Sequence, residues 1–102
     1  MLCEQVISVV EVVAQVAEVP AQAILSDCRQ SEVVEARIIA IHILSQMGYS
    51  QQRLAKHFHK STEGIRKILS LYDQRSSTNP LMLRLVKEAT NILSNNYQIT
   101  VK

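Results

Sequence analysis

Hydrophobic and polar positions follow a helical rhythm almost from the start of the chain. In residues 2–18 the polar positions are Glu4, Ser8, Glu11, Gln15 and Glu18, in alternating steps of four and three. That spacing puts them on one helical stripe and leaves the remaining surface to valine and isoleucine. The β-branched residues lower helix propensity and keep a strand as the rival. Strict alternation is missing, so the pattern predicts a helix. Val19-Pro20 ends it, and Pro20 suits the first position of a short helix over 20–25, where its missing N–H costs nothing. SDCRQ, residues 26–30, reads as a loop.

A long helix is predicted over 31–47, with Gly48 just beyond as its C-cap. Its interior, around AIHIL, is apolar nearly all round. Such a helix belongs at the centre of a domain, contacted from several sides. Ser50 is a good N-cap for a helix over 51–58. HKS then makes a tight turn, and Ser61 caps a helix to about residue 73. QRSST, residues 74–78, is the one linker-like stretch. Asn79-Pro80 places a capping residue ahead of a proline and opens a helix to about residue 94. The tail NNYQITVK has no strong pattern. The reading is one helical domain over 1–95 and a C-terminal tail over 96–102, without internal repeats.

Composition agrees. Apolar residues are 47% of 102, enough for a packed core and too many for a disordered chain. Two glycines and two prolines are too little punctuation for many short strands. Charge adds more once it is divided. Residues 1–36 set six carboxylates against Arg29 alone, a net of −5. Residues 37–75 set seven cations against Glu63 and Asp73, a net of +5. The remainder carries +2. A basic middle on an acidic start points to a polyanion-facing surface, against the plainer reading of a solvated basic face.

The basic region coincides with YSQQRLAKHFHKSTEGIRKIL, residues 49–69. Laid out as a helix-turn-helix, it uses Leu54, Phe58, Ile65 and Ile68 to pack two helices together. Ala55 is the small residue at their closest approach. His59 falls where the turn needs a left-handed residue, a conformation histidine tolerates better than most non-glycine types. The second helix would then enter a major groove by its N-terminal turns. Lys60, Ser61, Thr62, Glu63, Arg66 and Lys67 are the side chains it would present to phosphates and base edges. Gly64 costs that helix roughly 1 kcal/mol relative to Ala. Close approach to DNA, or crowding against another helix, would justify it. A plain helical hairpin is the alternative.

The segment ILSDCRQSEVVEARIIAIHILSQMGYSQQRLAKHF resembles the C-terminal DNA-binding domain of the bacterial chromosomal replication initiator, DnaA. The matching pieces are Leu25-Ser26, Arg29, Val34-Glu35-Ala36-Arg37, Ile39-Ala40, Ser50 and Phe58. The similarity covers roughly residues 10–75, and SQQRLAK also resembles the helix-turn-helix of the Trp repressor. The resemblance implies an all-α, six-helix Trp-repressor-like bundle. It implies that Arg29, in a basic loop, touches the minor groove or adjacent backbone, and that Lys60 matches an arginine ahead of the recognition helix. The family's Asp-His-Ser/Thr-Thr signature is replaced by Ser61, Thr62, Glu63 and Gly64. Asp27 and Cys28 stand where its basic loop prefers Lys or Arg. The scaffold is thus similar while the sequence preference differs. The chain begins with Met1 and carries no ATPase module, so a complete, non-melting DNA-binding protein is expected.

Other chemistry is sparse. His57 and His59 diverge on a helix and its turn, away from any cysteine, so no metal site is expected. His42, inside the apolar helix, reads as a core or boundary histidine. Arg37 could hold Glu11 or Glu63, snorkel, or reach DNA from behind. Cys3 and Cys28 are not spaced as ligands and read as free thiols in a reducing cytoplasm. No glycine loop cradles a phosphate, no nucleophile–base pair stands out, and no cofactor is called for. Glu11 and Glu18 interrupt the apolar run well before a membrane-spanning length. The expectation is a cytoplasmic, non-enzymatic protein that binds double-stranded DNA in replication initiation or transcription regulation. Arg53, Lys60, Arg66 and Lys67 would contact phosphates, and Ser61, Thr62 and Glu63 would face bases. The rival is a protein-interaction module that keeps the fold without sequence-specific recognition. A homodimer or a partner helix is its expected company.

Overall fold

The computed structural model of the protein describes residues 4–26 and 28–97. Six α-helices and no strand form there: α1 (Glu4–Ala17), α2 (Ala21–Leu25), α3 (Ser31–Gln46), α4 (Gln51–His57), α5 (Thr62–Ser76) and α6 (Pro80–Tyr97). Cys3, Asp27 and the tail beyond residue 97 lie outside the described residues.

α3 is the centre, as its all-round apolar sequence requires. It packs against α1, α2, α4, α5 and α6. Ala36, Ile38, Ile39, Ala40, Ile41, Ile43 and Leu44 are buried along its length. α1 settles the helix-or-strand question. Val6, Val9, Val10, Val12 and Val13 are buried against α3 and α6, while Glu11, Gln15 and Glu18 face solvent. Burial of that wide valine arc outweighs the weak propensity of each valine.

Three helices end in the same way. After α1, Val19 N–H reaches Ala14 O at 3.0 Å and Glu18 N–H reaches Gln15 O at 3.4 Å. After α3, Tyr49 N–H reaches Leu44 O and Gly48 N–H reaches Ser45 O. After α4, Lys60 N–H reaches Ala55 O and His59 N–H reaches Lys56 O. Each is a Schellman closure, which needs one left-handed residue. Those residues are Glu18 (φ 60°), Gly48 (φ 102°) and His59 (φ 55°). Gly48 adopts it freely, whereas Glu18 and His59 do so against their Cβ. Glu18→Gly and His59→Gly should therefore each raise stability, by up to about 1 kcal/mol in urea unfolding. A loss of stability in either variant would mean that the side chain contributes more than its backbone costs.

The helix starts follow their caps. Ser50 Oγ accepts from Arg53 N–H at 3.2 Å, and Ser61 Oγ accepts from Gly64 N–H at 3.0 Å. Asn79 Oδ1 accepts from Leu81 N–H at 3.1 Å, with Pro80 opening α6. Two boundaries differ from expectation. α5 continues through the first three residues of QRSST, because the hydroxyls of Ser76, Ser77 and Thr78 turn back onto the carbonyls of Asp73, Gln74 and Arg75. Arg75 also lies 4.0 Å from Glu35 of α3. α6 runs to Tyr97, into the segment read as tail, since adding residues to an existing helix is far easier than starting one.

Candidate nucleic-acid interface

α4 and α5 pack on each other, and Leu54, Ala55, Phe58 and Ile65 are all buried, with Ile68 half-buried. The sequence pattern expects these positions to be apolar and inward, and their burial agrees with that. His59 takes the left-handed turn, and Ser61 caps α5. The turn therefore fixes where α5 begins, and the exposed side chains of its first turns fall on its outer side. Thr62, Glu63, Arg66, Lys67 and Ser70 are all exposed there at helical spacing.

The structure draws part of the expected set around one concavity of about 420 Å³, lined by Gln52, Arg53, Ala55, Lys56, Lys60, Ser61 and Thr62. Lys60 also lines a second cleft, with Arg29 of the 28–30 loop. Arg29 and the α4–α5 turn thus lie side by side. Lys67 lines a shallower depression with Ser70, Leu71 and Gln74. Glu63 and Arg66 line none of these hollows and sit on the open face of α5. Gln52 and Lys56 were not singled out in the sequence. Gln52 lies four residues before Lys56, and Arg53 three before it, so helical spacing from Lys56 on a capped helix is the signal that finds them.

Arg53 is held more firmly than a surface cation. Its guanidinium lies 4.7 Å from the centroid of the Tyr49 ring. Tyr49 is buried and its hydroxyl donates to Gln5 Oε1 at 2.9 Å. α1 therefore braces the side of α4 that carries Arg53. His57 meets the same Tyr49 ring edge-on at 6.3 Å. Its pKa is lowered by burial, and then by the neighbouring Arg53 charge.

Gly64 has a local explanation. A Cβ there would lie 3.3 Å from Ser61 Oγ, the cap that Gly64 N–H itself bonds. The crowding comes from the helix's own cap and not from another helix.

Arg37 is buried and does not present itself to solvent. It is 6% exposed. Its Nε donates to Ile24 O at 2.8 Å, and Nη2 reaches Ala23 O, Ser26 O and Cys28 O at 3.0, 2.6 and 3.1 Å. One guanidinium thus gathers the end of α2 and the loop that carries Arg29. Cys28 is a half-buried free thiol on that loop.

The far end of α5 is seated by Tyr72, whose ring stacks on His42 of α3 with centroids 3.6 Å apart and planes 11° apart. Burial lowers the His42 pKa and outweighs the opposing pull of Asp73. Unfolded, His42 takes its proton near the ordinary value of 6.5. The stability contributed by the neutral ring is complete above that value and is lost as pH falls through the window below it. The melting temperature should fall as pH drops below about 6.5, and His42→Phe, which keeps a ring on Tyr72 without a proton to gain, should flatten that slope. An unchanged slope in the variant places the titrating group elsewhere.

Among the described residues, no three His, Cys, Asp or Glu side chains gather as metal ligands, and no helix is long and apolar enough to cross a membrane. Comparison with known proteins finds no matching family model, no matching curated protein and no matching solved structure.

Proposed function

We propose that the chain binds double-stranded DNA, with α4 and α5 as a helix-turn-helix and the N-terminal turns of α5 in the major groove. The observation that carries this reading is the α4–α5 junction. A left-handed His59 and the Ser61 cap start α5 beside a concavity ringed by Arg53, Lys56, Lys60, Ser61 and Thr62, with Arg66 and Lys67 next along the same exposed side. Arg29, Arg53, Lys60, Arg66 and Lys67 supply phosphate contacts. Ser61, Thr62 and Glu63 face bases, Glu63 as an acceptor for cytosine N4. The DnaA-like and Trp-repressor-like resemblance supports the same assignment and a cytoplasmic role in replication initiation or transcription regulation. A binding role, and no catalysis, is the reading here.

Fluorescence anisotropy of the chain on random duplex DNA tests it. Affinity should fall steeply with salt, with a log–log slope of about −4 for four to five phosphate contacts. No binding at low salt by a folded protein overturns the reading.

A second reading has its own observation. Leu81, Leu83 and Ile7 are 53%, 44% and 39% exposed. A protein-interaction module would use such side chains for a homodimer or a partner helix. Size exclusion with light scattering separates the two. A dimer that buries Arg66 and Lys67 favours the second, and one that leaves both basic faces open is compatible with DNA.

A further inference from the structure

Tyr49 is held at both ends. Its main chain lies between Gly48, the left-handed end of α3, and Ser50, the N-cap of α4, and its N–H reaches Leu44 O at 3.2 Å. Its hydroxyl donates to Gln5 Oε1 of α1 at 2.9 Å, and the residue is buried. The ring is therefore fixed between α1 and the α3–α4 turn.

Two side chains one turn apart on α4 meet that ring. His57 comes edge-on, and the Arg53 guanidinium lies over the ring, 4.7 Å from its centroid. Arg53 is itself exposed and lines the concavity shared with Lys60, Ser61 and Thr62. Among the described residues, Lys56, Arg66 and Lys67 form no such ring contact.

The difference matters for binding. An exposed arginine samples many rotamers and gives that freedom up when a phosphate captures it, which weakens the contact. A fixed ring restricts those rotamers beforehand. The attraction is between the charge and the ring, so it takes up no acceptor and leaves N–H donors for a phosphate.

We propose that Tyr49 is a positioning residue for DNA binding: its ring sets Arg53 in place for one phosphate before the duplex arrives. This rests on the DNA reading above and adds a residue that touches no DNA itself.

One arm of the test needs no DNA. In the free wild type, the Arg53 Nε–H should be more ordered in nitrogen relaxation than that of Arg66. It should become as mobile as Arg66 in Tyr49→Leu and stay ordered in Tyr49→Phe, which keeps the ring and gives up only the bond to Gln5. A wild-type Arg53 as mobile as Arg66 overturns the inference without any variant. The other arm titrates the same chains with random duplex DNA, well below their melting temperatures. Arg53→Gln should lose about tenfold in affinity and flatten the salt slope by about 1, because one phosphate contact has gone. Tyr49→Leu should lose about fourfold at an unchanged salt slope, because the cation is still there. Tyr49→Phe should bind as the wild type does. In an Arg53→Gln background, Tyr49→Leu should cost nothing further. A wild type that binds DNA while Tyr49→Leu binds equally well, or loses as much in both backgrounds, overturns the inference and leaves the DNA reading standing. A chain with an ordered Arg53 that ignores duplex at low salt overturns the DNA reading, and the positioning role with it.

Discussion

Lys60→Glu/Arg66→Glu should lower duplex affinity by at least about a hundredfold at moderate salt and reduce the salt slope by about 2. The two substitutions replace two proposed phosphate contacts by two repulsions on one face. Lys60 stands at the junction of both clefts, and Arg66 on the open side of α5. Their loss should reach every sequence alike, because phosphate contacts position the protein without reading bases. Glu63→Gln should behave differently, changing the preferred base and little else. Arg66 is fully on the surface, so its reversal leaves the core untouched. Lys60 is half-buried, and a thermal melt of the variant is the control for it. A folded double variant that binds as the wild type does would show that the basic face of α5 is not the interface.

Most of the scaffold was legible because it rests on local chemistry. Ser50, Ser61 and Asn79-Pro80 announce helix starts, since a side-chain oxygen beside an orphan N–H is a short-range device. Gly48 announces an end for the same kind of reason. His59 was legible only because the packing pattern of Leu54, Phe58, Ile65 and Ile68 fixed where the turn had to be. Glu18 was missed because Pro20 drew the break to itself, and glutamate carries no left-handed signature. The candidate site was legible in part. Arg29 and Lys60, far apart in sequence, were both named, but the aliphatic cleft between them was not. Its walls, Val34 and Ile38 of α3 and Ile68 and Leu71 of α5, come from one face of each of two packed helices, and apolar faces of that kind read as core. The tie from Gln5 through Tyr49 to Arg53 spans the fold and has no local pattern. Arg37 was noticed as a partner for Glu11 or Glu63, a snorkelling side chain or a DNA contact, and its main-chain acceptors were not foreseen. Its acceptors Ile24, Ala23, Ser26 and Cys28 offer it main-chain oxygens, and a carbonyl leaves no mark on the sequence.

That same clamp carries the largest expected effect on stability. Arg37→Met should destabilise the fold by about 3 kcal/mol, because the carbonyls of Ile24, Ser26 and Cys28 lose this donor at about 1 kcal/mol each, while Ala23 O keeps Ser26. For a chain of this size the melting temperature should fall by about 12 °C or more. Arg37→Lys should rescue little of the loss. An ammonium is a point donor, whereas these carbonyls are met by a planar fork whose Nε and Nη2 point to different residues. A second measurement separates local from general damage. With the clamp gone the 28–30 loop loses its anchor first, so Cys28 should react with a thiol reagent faster in Arg37→Lys than in the wild type, in a Cys3→Ser background, well below the melting transition. Arg29 rides on that loop, so duplex affinity should fall in the same variant while Arg53 and Lys67 keep their places. An Arg37→Met protein that melts with the wild type and shields Cys28 equally well would show that α2 and the loop are held by their apolar contacts, with the guanidinium merely buried among them.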